Sequence, residues 1–454
     1  MKTTATTLAL FFVFTSLTFS QSLEDKIGQM IMVSFNSSSE SLDTLAYDIA
    51  HRNLGGILFF RSNLASPTQI KQQNASFQNM ANTPLLLATD QEGGIVARLD
   101  ENNGYKQTRT AYELGTEINR EDSTRAQAHL MAGWMKQAGF NFNLAPVVDV
   151  NVNPDSPAIG GLDRSFSSDE YSVFTHAAWT IDEYQKQNIA TALKHFPGHG
   201  SAAGDSHHNF TDITNTWEER ELAPFKFLIE GGYEDAILTA HVFKEDWDSV
   251  YPVSLSEYAI STILRDSLGF KGVVITDELF MKAISDNYGF DEAIIKAVNS
   301  DSDILLFNKN LHQDKSITHH IIKLIVQKIG EGVIDEATID ASYNRIIELK
   351  QRRVITHTES FASHSELPSG LDIGNYPNPF NPSTEITLTL DNSTDVYISI
   401  VNSIGQTVKE IAHQRLSAGF HQFTFDGTDL ASGMYMVVVK TPTSGRIHKM
   451  MLIK

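Results

Sequence analysis

An α/β architecture, a (β/α)8 barrel followed by a small all-β sandwich, is what this sequence predicts, and three observations lead to it. Between residues 23 and 350, eight short apolar runs alternate with segments of helical period. The runs are apolar on both faces, as the strands of a covered parallel sheet are. Beyond residue 350 the texture changes to short β-type runs separated by Gly-, Ser- and Asp-rich turns.

The elements follow in order. Residues 1–20, MKTTATTLALFFVFTSLTFS, read as a signal peptide: Lys2 supplies the positive charge, an apolar run follows, and Ser20 offers a small residue before cleavage at Gln21. The apolar run falls short of the ~20 residues a membrane span needs, and no stable transmembrane segment is expected. The barrel is assigned to 21–350. Its strands are expected at 31–35, 55–60, 84–90, 142–150, 189–196, 235–242, 272–279 and 303–307. Helix-period segments lie between them, among them 119–139 and 172–187. A doubly wound open sheet shares this alternation. Asp90, Asp149, His195, His241 and Asp277, however, each close a different strand, and only a barrel brings all such ends to one mouth. Residues 351–372 read as a linker and 373–454 as a small β-sandwich to which no catalysis is assigned.

Composition excludes several functions. A net charge of −20 over 454 residues opposes general binding to nucleic acid. The absence of cysteine rules out disulfides and thiolate metal sites.

The chemistry concentrates in 194–210, KHFPGHGSAAGDSHHNF. His195 and His199 have the spacing of a zinc pair, but Pro197 and Gly198 between them break the helix such a pair needs. No metal and no cofactor is expected. Asp205 and His207 stand two apart on a loop, where the carboxylate can fix one ring nitrogen and leave the other to move a proton. A solvent-facing polar loop is the alternative, and His208 has no assigned role. Asp277, in VVITDELFM, ends a buried strand, which is costly for a carboxylate unless it is hydrogen-bonded or used. Glu278 beside it is a rival. Two such groups at one mouth suit double-displacement hydrolysis of an acetal. In DQEGGIVARL, Asp90 can accept sugar hydroxyls and Arg98 can orient it. Arg164, Lys194 and His195 supply donors, although Arg164 also suits a salt bridge to Asp163 or Asp149. Trp134 and Trp179 lie in helical stretches and read as packing residues.

These motifs, KHFPGHG-x4-D-x-H, DQEGG-x-V-x-RL, LAPVVDV, DRSF, LTAH and ITDELFM, occur in an order that resembles glycoside hydrolase family 3, and its β-N-acetylglucosaminidase branch in particular, over residues 23–350. The resemblance implies Asp277 as nucleophile forming a covalent glycosyl-enzyme, His207 as general acid/base and Asp205 as its partner. It implies Asp90, Arg98, Arg164, Lys194 and His195 as binding residues for a terminal N-acetylglucosamine. Asp149 and His241 match family motifs with less defined contacts. Glu278 departs from the pattern, since many members carry Asp or Ser there. The implied substrate is an N-acetylglucosamine-containing oligosaccharide or glycoconjugate. Phosphorolysis and β-glucosidase activity are the alternatives. YPNPFNPST followed by a short β domain ending in IHKMMLIK resembles the type IX secretion sorting domain. With the signal peptide it implies the type IX machinery as partner, and a secreted or cell-surface protein exported through the periplasm.

Overall fold

The structure, a computed structural model, describes residues 21–205, 211–355, 372–377, 380–390, 392–402, 407–441 and 445–452. The chain divides into two compact units at residues 358/359.

The first unit is built on eight strands: β1 (Ile31–Val33), β2 (Gly56–Phe59), β3 (Leu86–Thr89), β4 (Phe142–Asn143), β5 (Ala190–Phe196), β6 (Ala236–Thr239), β7 (Val273–Thr276) and β8 (Leu305–Phe307). They hydrogen-bond in the order β7-β6-β5-β4-β3-β2-β1-β8, every pair parallel. A parallel bridge between Ile275 and Ile304 brings the two ends of the sheet together, nearly closing the barrel. Every residue of these strands is buried, which explains runs that are apolar throughout rather than alternating. The strands are shorter than the apolar runs that announced them. The segment 142–150 pairs regularly only at Phe142–Asn143, and its remainder descends into the mouth as loop.

Helices cover the outside. In α1 (Glu170–Lys186), the Asp169 side chain accepts the Ser172 N–H at 2.8 Å, capping the first turn. Val173, His176, Ala177, Thr180, Ile181 and Tyr184 fall at helical spacing and make the buried face. Replacing Asp169 by Ala is expected to cost about 1 kcal/mol through the lost cap. Trp134 packs on Tyr105 with ring centroids 5.4 Å apart, and Trp179 packs on His176 at 4.9 Å; neither lines the mouth. The last barrel helix, α2 (Glu336–Lys350), runs on as wider turns through Gln351–Ile355.

The second unit has seven described strands. Asp372–Tyr376, Ser383–Leu390 and Gly419–Asp426 form one antiparallel sheet. Thr394–Asn402, Thr407–Leu416, Gly433–Lys440 and Gly445–Leu452 form the other. Ile386, Leu388, Ile398, Ile400, Val437 and Val439 pack between them, the inward half of alternating strands.

Candidate active site

The C-terminal ends of the barrel strands surround an open cleft of about 560 Å³. Asp90, Arg98, Arg164, Lys194, His195, Asp205 and Asp277 all line it. His207 lies outside the described residues. The structure therefore gathers every other residue singled out for catalysis or binding, from segments spread over nearly two hundred positions.

β3 ends at Thr89, and Asp90 leads at once into a hairpin, Gln91–Gly93 against Val96–Ala97. Gly93 and Gly94 have φ of +111° and +58°, and a Cβ on Gly93 would lie 2.6 Å from the Arg109 carbonyl. Glycine is required here. The hairpin sets Glu92 and Arg98 beside Asp90. Asp90 accepts Lys194 Nζ at 2.8 Å and Arg98 Nη2 at 3.3 Å. Burial raises the Asp90 carboxyl, but Lys194 and Arg98 outweigh it and hold it below the ordinary aspartate range.

Glu92 had no role in the sequence reading, yet it is the hub of this wall. Arg164 grips both its oxygens, Nε at 2.9 Å and Nη2 at 2.8 Å, and Lys194 Nζ lies 2.6 Å from Oε1. Burial would raise its carboxyl, and the two cations drive it far below the glutamate range. Arg164 is thus bound to Glu92, not to Asp163 or Asp149 as its loop position allowed. Its Nη1 donates to the Ala158 carbonyl at 2.8 Å, and Nη2 is 3.4 Å from His195 Nε2. The only local signal for Glu92 was a second acid in DQE, since its partner stands 72 residues away.

β5 delivers Lys194 and His195 through a register shift. Lys194 opposes Leu238 and Phe196 opposes Thr239, leaving His195 as the extra residue of a bulge. Bulges of this kind re-aim side chains at barrel rims. Asp149, fully buried, fixes the result: Oδ2 meets His195 Nδ1 at 2.7 Å, while Oδ1 accepts the His195 and His199 N–H groups at 3.1 and 2.8 Å. Asp149 is therefore a support beneath His195. Burial, with His195 nearby, pushes the His199 imidazole down to about 4, and its neutral ring packs edge-on to His195 at 5.9 Å.

Asp277 follows β7. Its N–H donates to the Thr239 carbonyl at 3.1 Å, and its Oδ1 accepts the Glu278 N–H at 2.8 Å. Glu278 does not point outward. It is 8 % exposed, and its Oε1 accepts the Phe280 N–H at 2.9 Å and the Asn308 N–H at 3.1 Å, tying the loops after β7 and β8 together. Burial, reinforced by Asp277, pushes its carboxyl up to about 7. His241 lies below, with Nδ1 2.6 Å from Ser254 Oγ and Nε2 2.9 Å from the Glu278 carbonyl oxygen. Chemically, the cleft combines a carboxylate on β7, a second on the loop after β5, and a wall of paired charges able to read a polyhydroxylated ring.

Comparison with known proteins agrees with this geometry. Residues 22–349 match the profile of the glycosyl hydrolase family 3 N terminal domain, and residues 375–454 that of a secretion system C-terminal sorting domain. A β-hexosaminidase of Photobacterium profundum is 34% identical over 278 residues, which is 59% of this chain and 81% of that protein. The structure of a family 3 β-N-acetylglucosaminidase from a Paenibacillus species superposes with a TM-score of 0.68 at 34% identity. That match covers 77% of this chain and 65% of the other. A β-N-acetylhexosaminidase from Beutenbergia cavernae superposes at 0.66 with 26% identity, covering 73% of this chain and 99% of the other.

Proposed function

Since this chain belongs to glycosyl hydrolase family 3, we propose that it is an exo-acting β-N-acetylglucosaminidase that works with retention of anomeric configuration. The observation that carries the reading is Asp277 at the end of β7, in one cleft with Asp205 and with the Asp90–Glu92–Arg98–Arg164–Lys194 wall. The relatives named β-hexosaminidase and β-N-acetylglucosaminidase support the choice of sugar.

In this mechanism the terminal N-acetylglucosamine sits against the charged wall. Asp90 accepts hydroxyl protons, while Arg164, Lys194 and His195 donate. Asp277 attacks the anomeric carbon as the bond to the leaving oxygen breaks, and that oxygen takes a proton from His207, the partner of Asp205. Water then loses its proton to the same imidazole and displaces Asp277. His207 enters as the imidazolium that gives this proton and is left as the neutral ring that takes one from water, and neither form repels Asp277 as a second carboxylate would. The reaction needs no metal and no cofactor.

The match of residues 375–454 to a sorting domain supports export by the type IX route to the exterior or the cell surface. No helix among the described residues is long and apolar enough to cross a membrane.

The test compares p-nitrophenyl β-N-acetylglucosaminide with the β-glucoside, each with and without phosphate. The expected result is at least a hundredfold preference for the N-acetyl sugar with free sugar as product. Preference for the glucoside contradicts the substrate. Phosphate stimulation with sugar 1-phosphate as product makes the enzyme a phosphorylase.

A further inference from the structure

The loop 197–205 carries Asp205 from the end of β5 to the cleft, and what holds it lies outside the cleft. Asp149 fixes its first residues through His195 and His199. Its middle rests on a second buried carboxylate, Glu221. Glu221 is fully buried, and its Oε2 accepts the Ser201 N–H at 3.1 Å. Its Oε1 accepts the Glu218 N–H at 3.1 Å, so the carboxylate spans from the loop to the short helical turn that bears it, Glu219–Leu222.

The contact is close-fitting. Gly198 has φ of +117°, and a Cβ there would lie 2.6 Å from Glu221 Cβ. The same segment reaches the loop a second time, where Trp217 Nε1 donates to the Pro197 carbonyl at 3.1 Å. From the other side, Asn153 N donates to the Gly200 carbonyl at 3.0 Å, and its side chain donates to the Ala202 carbonyl at 3.3 Å. Burial and the nearby Asp149 raise the Glu221 carboxyl to about 7, while Arg220 on the same turn is occupied by Glu218. Among the described residues no cation pairs with it, and a buried carboxylate without one is expensive to keep. A Leu or Met would fill the volume, but it would leave the Ser201 N–H without an acceptor.

We propose that Glu221 is a positioning residue for the proton-transfer half of the reaction: with Trp217, it fixes the base of the 197–205 loop and so the presentation of Asp205 at the cleft. The proposal rests on the reading of Asp205 as part of the proton-transfer pair. It does not involve the sugar wall, which is anchored on β3, β4 and the bulge of β5. Loss of Glu221 therefore affects leaving-group protonation and spares sugar recognition.

The experiment uses the full chain and three β-N-acetylglucosaminides: 2,4-dinitrophenyl, p-nitrophenyl and phenyl. The first needs no protonation of its leaving group and the last needs it most. Glu221→Gln puts an amide N–H against one of the two donors and breaks one contact. It is expected to lower kcat/KM at least tenfold on the phenyl glycoside and less than threefold on the dinitrophenyl glycoside. Trp217→Phe, which removes only the indole donor, is expected to shift the same ratio more weakly, and it carries the test if Glu221→Gln does not fold. Asp205→Ala, run in parallel, is expected to show the steepest dependence. Equal losses on all three substrates, or no loss, in a folded Glu221→Gln or Trp217→Phe enzyme overturn the proposal while leaving Asp205 intact. A flat response in Asp205→Ala itself overturns both the proposal and the reading beneath it.

Discussion

The two ends of the barrel use the same residue types to opposite ends. At the floor, charges close the structure. Asp303, fully buried, accepts the Val274 N–H at 2.8 Å and is gripped by Arg265 at 2.7 Å and Arg345 at 2.8 Å. Arg353 pairs with Asp235 at 2.8 Å, and Lys350 donates to Gln29 Oε1 and the Gly55 carbonyl at 2.6 and 2.8 Å. These contacts bind helix α2 and its extension to the starts of the strands, and they bury Asp303 and Lys350 completely. At the mouth, Asp90 and Glu92 are held as firmly by Lys194, Arg98 and Arg164, yet the group faces a cleft of about 560 Å³. A charge network by itself does not mark a catalytic centre; one that is paired from behind and open in front does.

That contrast can be broken at either end. The largest effect on activity is expected at the mouth. Glu92→Gln leaves Arg164 and Lys194 facing a neutral amide, so the wall loses its fixed geometry. Activity measured as kcat/KM is expected to fall about 100-fold, or ~2.7 kcal/mol at 1.36 kcal/mol per decade, with a melting temperature lower by only a few degrees. A large loss of stability with full activity would place Glu92 with the floor residues.

Asp303→Asn at the floor is expected to do the reverse. Removing one partner of a buried charge cluster costs ~3–5 kcal/mol, read as a lower denaturation midpoint, while kcat per folded molecule is unchanged. A specific loss of kcat without a loss of stability would show that the floor communicates with the cleft.

The third effect, at Lys350, shows itself only as a pH dependence of stability. Burial pushes its ammonium down to about 7, whereas an unfolded lysine titrates near 10.4. Between these values the unfolded chain binds the extra proton, so this residue makes stability rise with pH across the window, and below 7 its slope vanishes. Urea midpoints at pH 7 and pH 9.5 should show the parent gaining on Lys350→Met as pH rises. A constant difference between the two proteins would mean that Lys350 stays charged in the fold.

Much of this was legible in the chain, for reasons that are themselves physical. Strands buried on both faces write themselves as apolar runs, so all eight barrel strands were visible, although their ends were not. Side chains closing those strands, such as Asp90 and Asp277, are conspicuous because a carboxylate after a buried strand must be used or paired. What stayed hidden depends on partners distant in sequence. Glu92 acquires its role only when Arg164 folds onto it, and Glu278 only when Asn308 offers its N–H. Glu221 looks like one acid among three in WEEREL until it is found beneath Gly198 and Ser201. The first strand of the sandwich, Asp372–Tyr376, was read in part as linker, because DIGNY carries little β-type pattern before its pairing with Ser383–Leu390.

The role of Asp277 admits a direct test. The enzyme would be incubated with a 5-fluoro-β-N-acetylglucosaminyl fluoride, whose fluorine slows both steps while its good leaving group lets the first proceed, and then digested and sequenced by mass spectrometry. A single sugar adduct on the peptide containing VVITDELFM, localised to Asp277, is the predicted result. An adduct on Glu278 or elsewhere, or turnover with no adduct and an inverted first product, would contradict it.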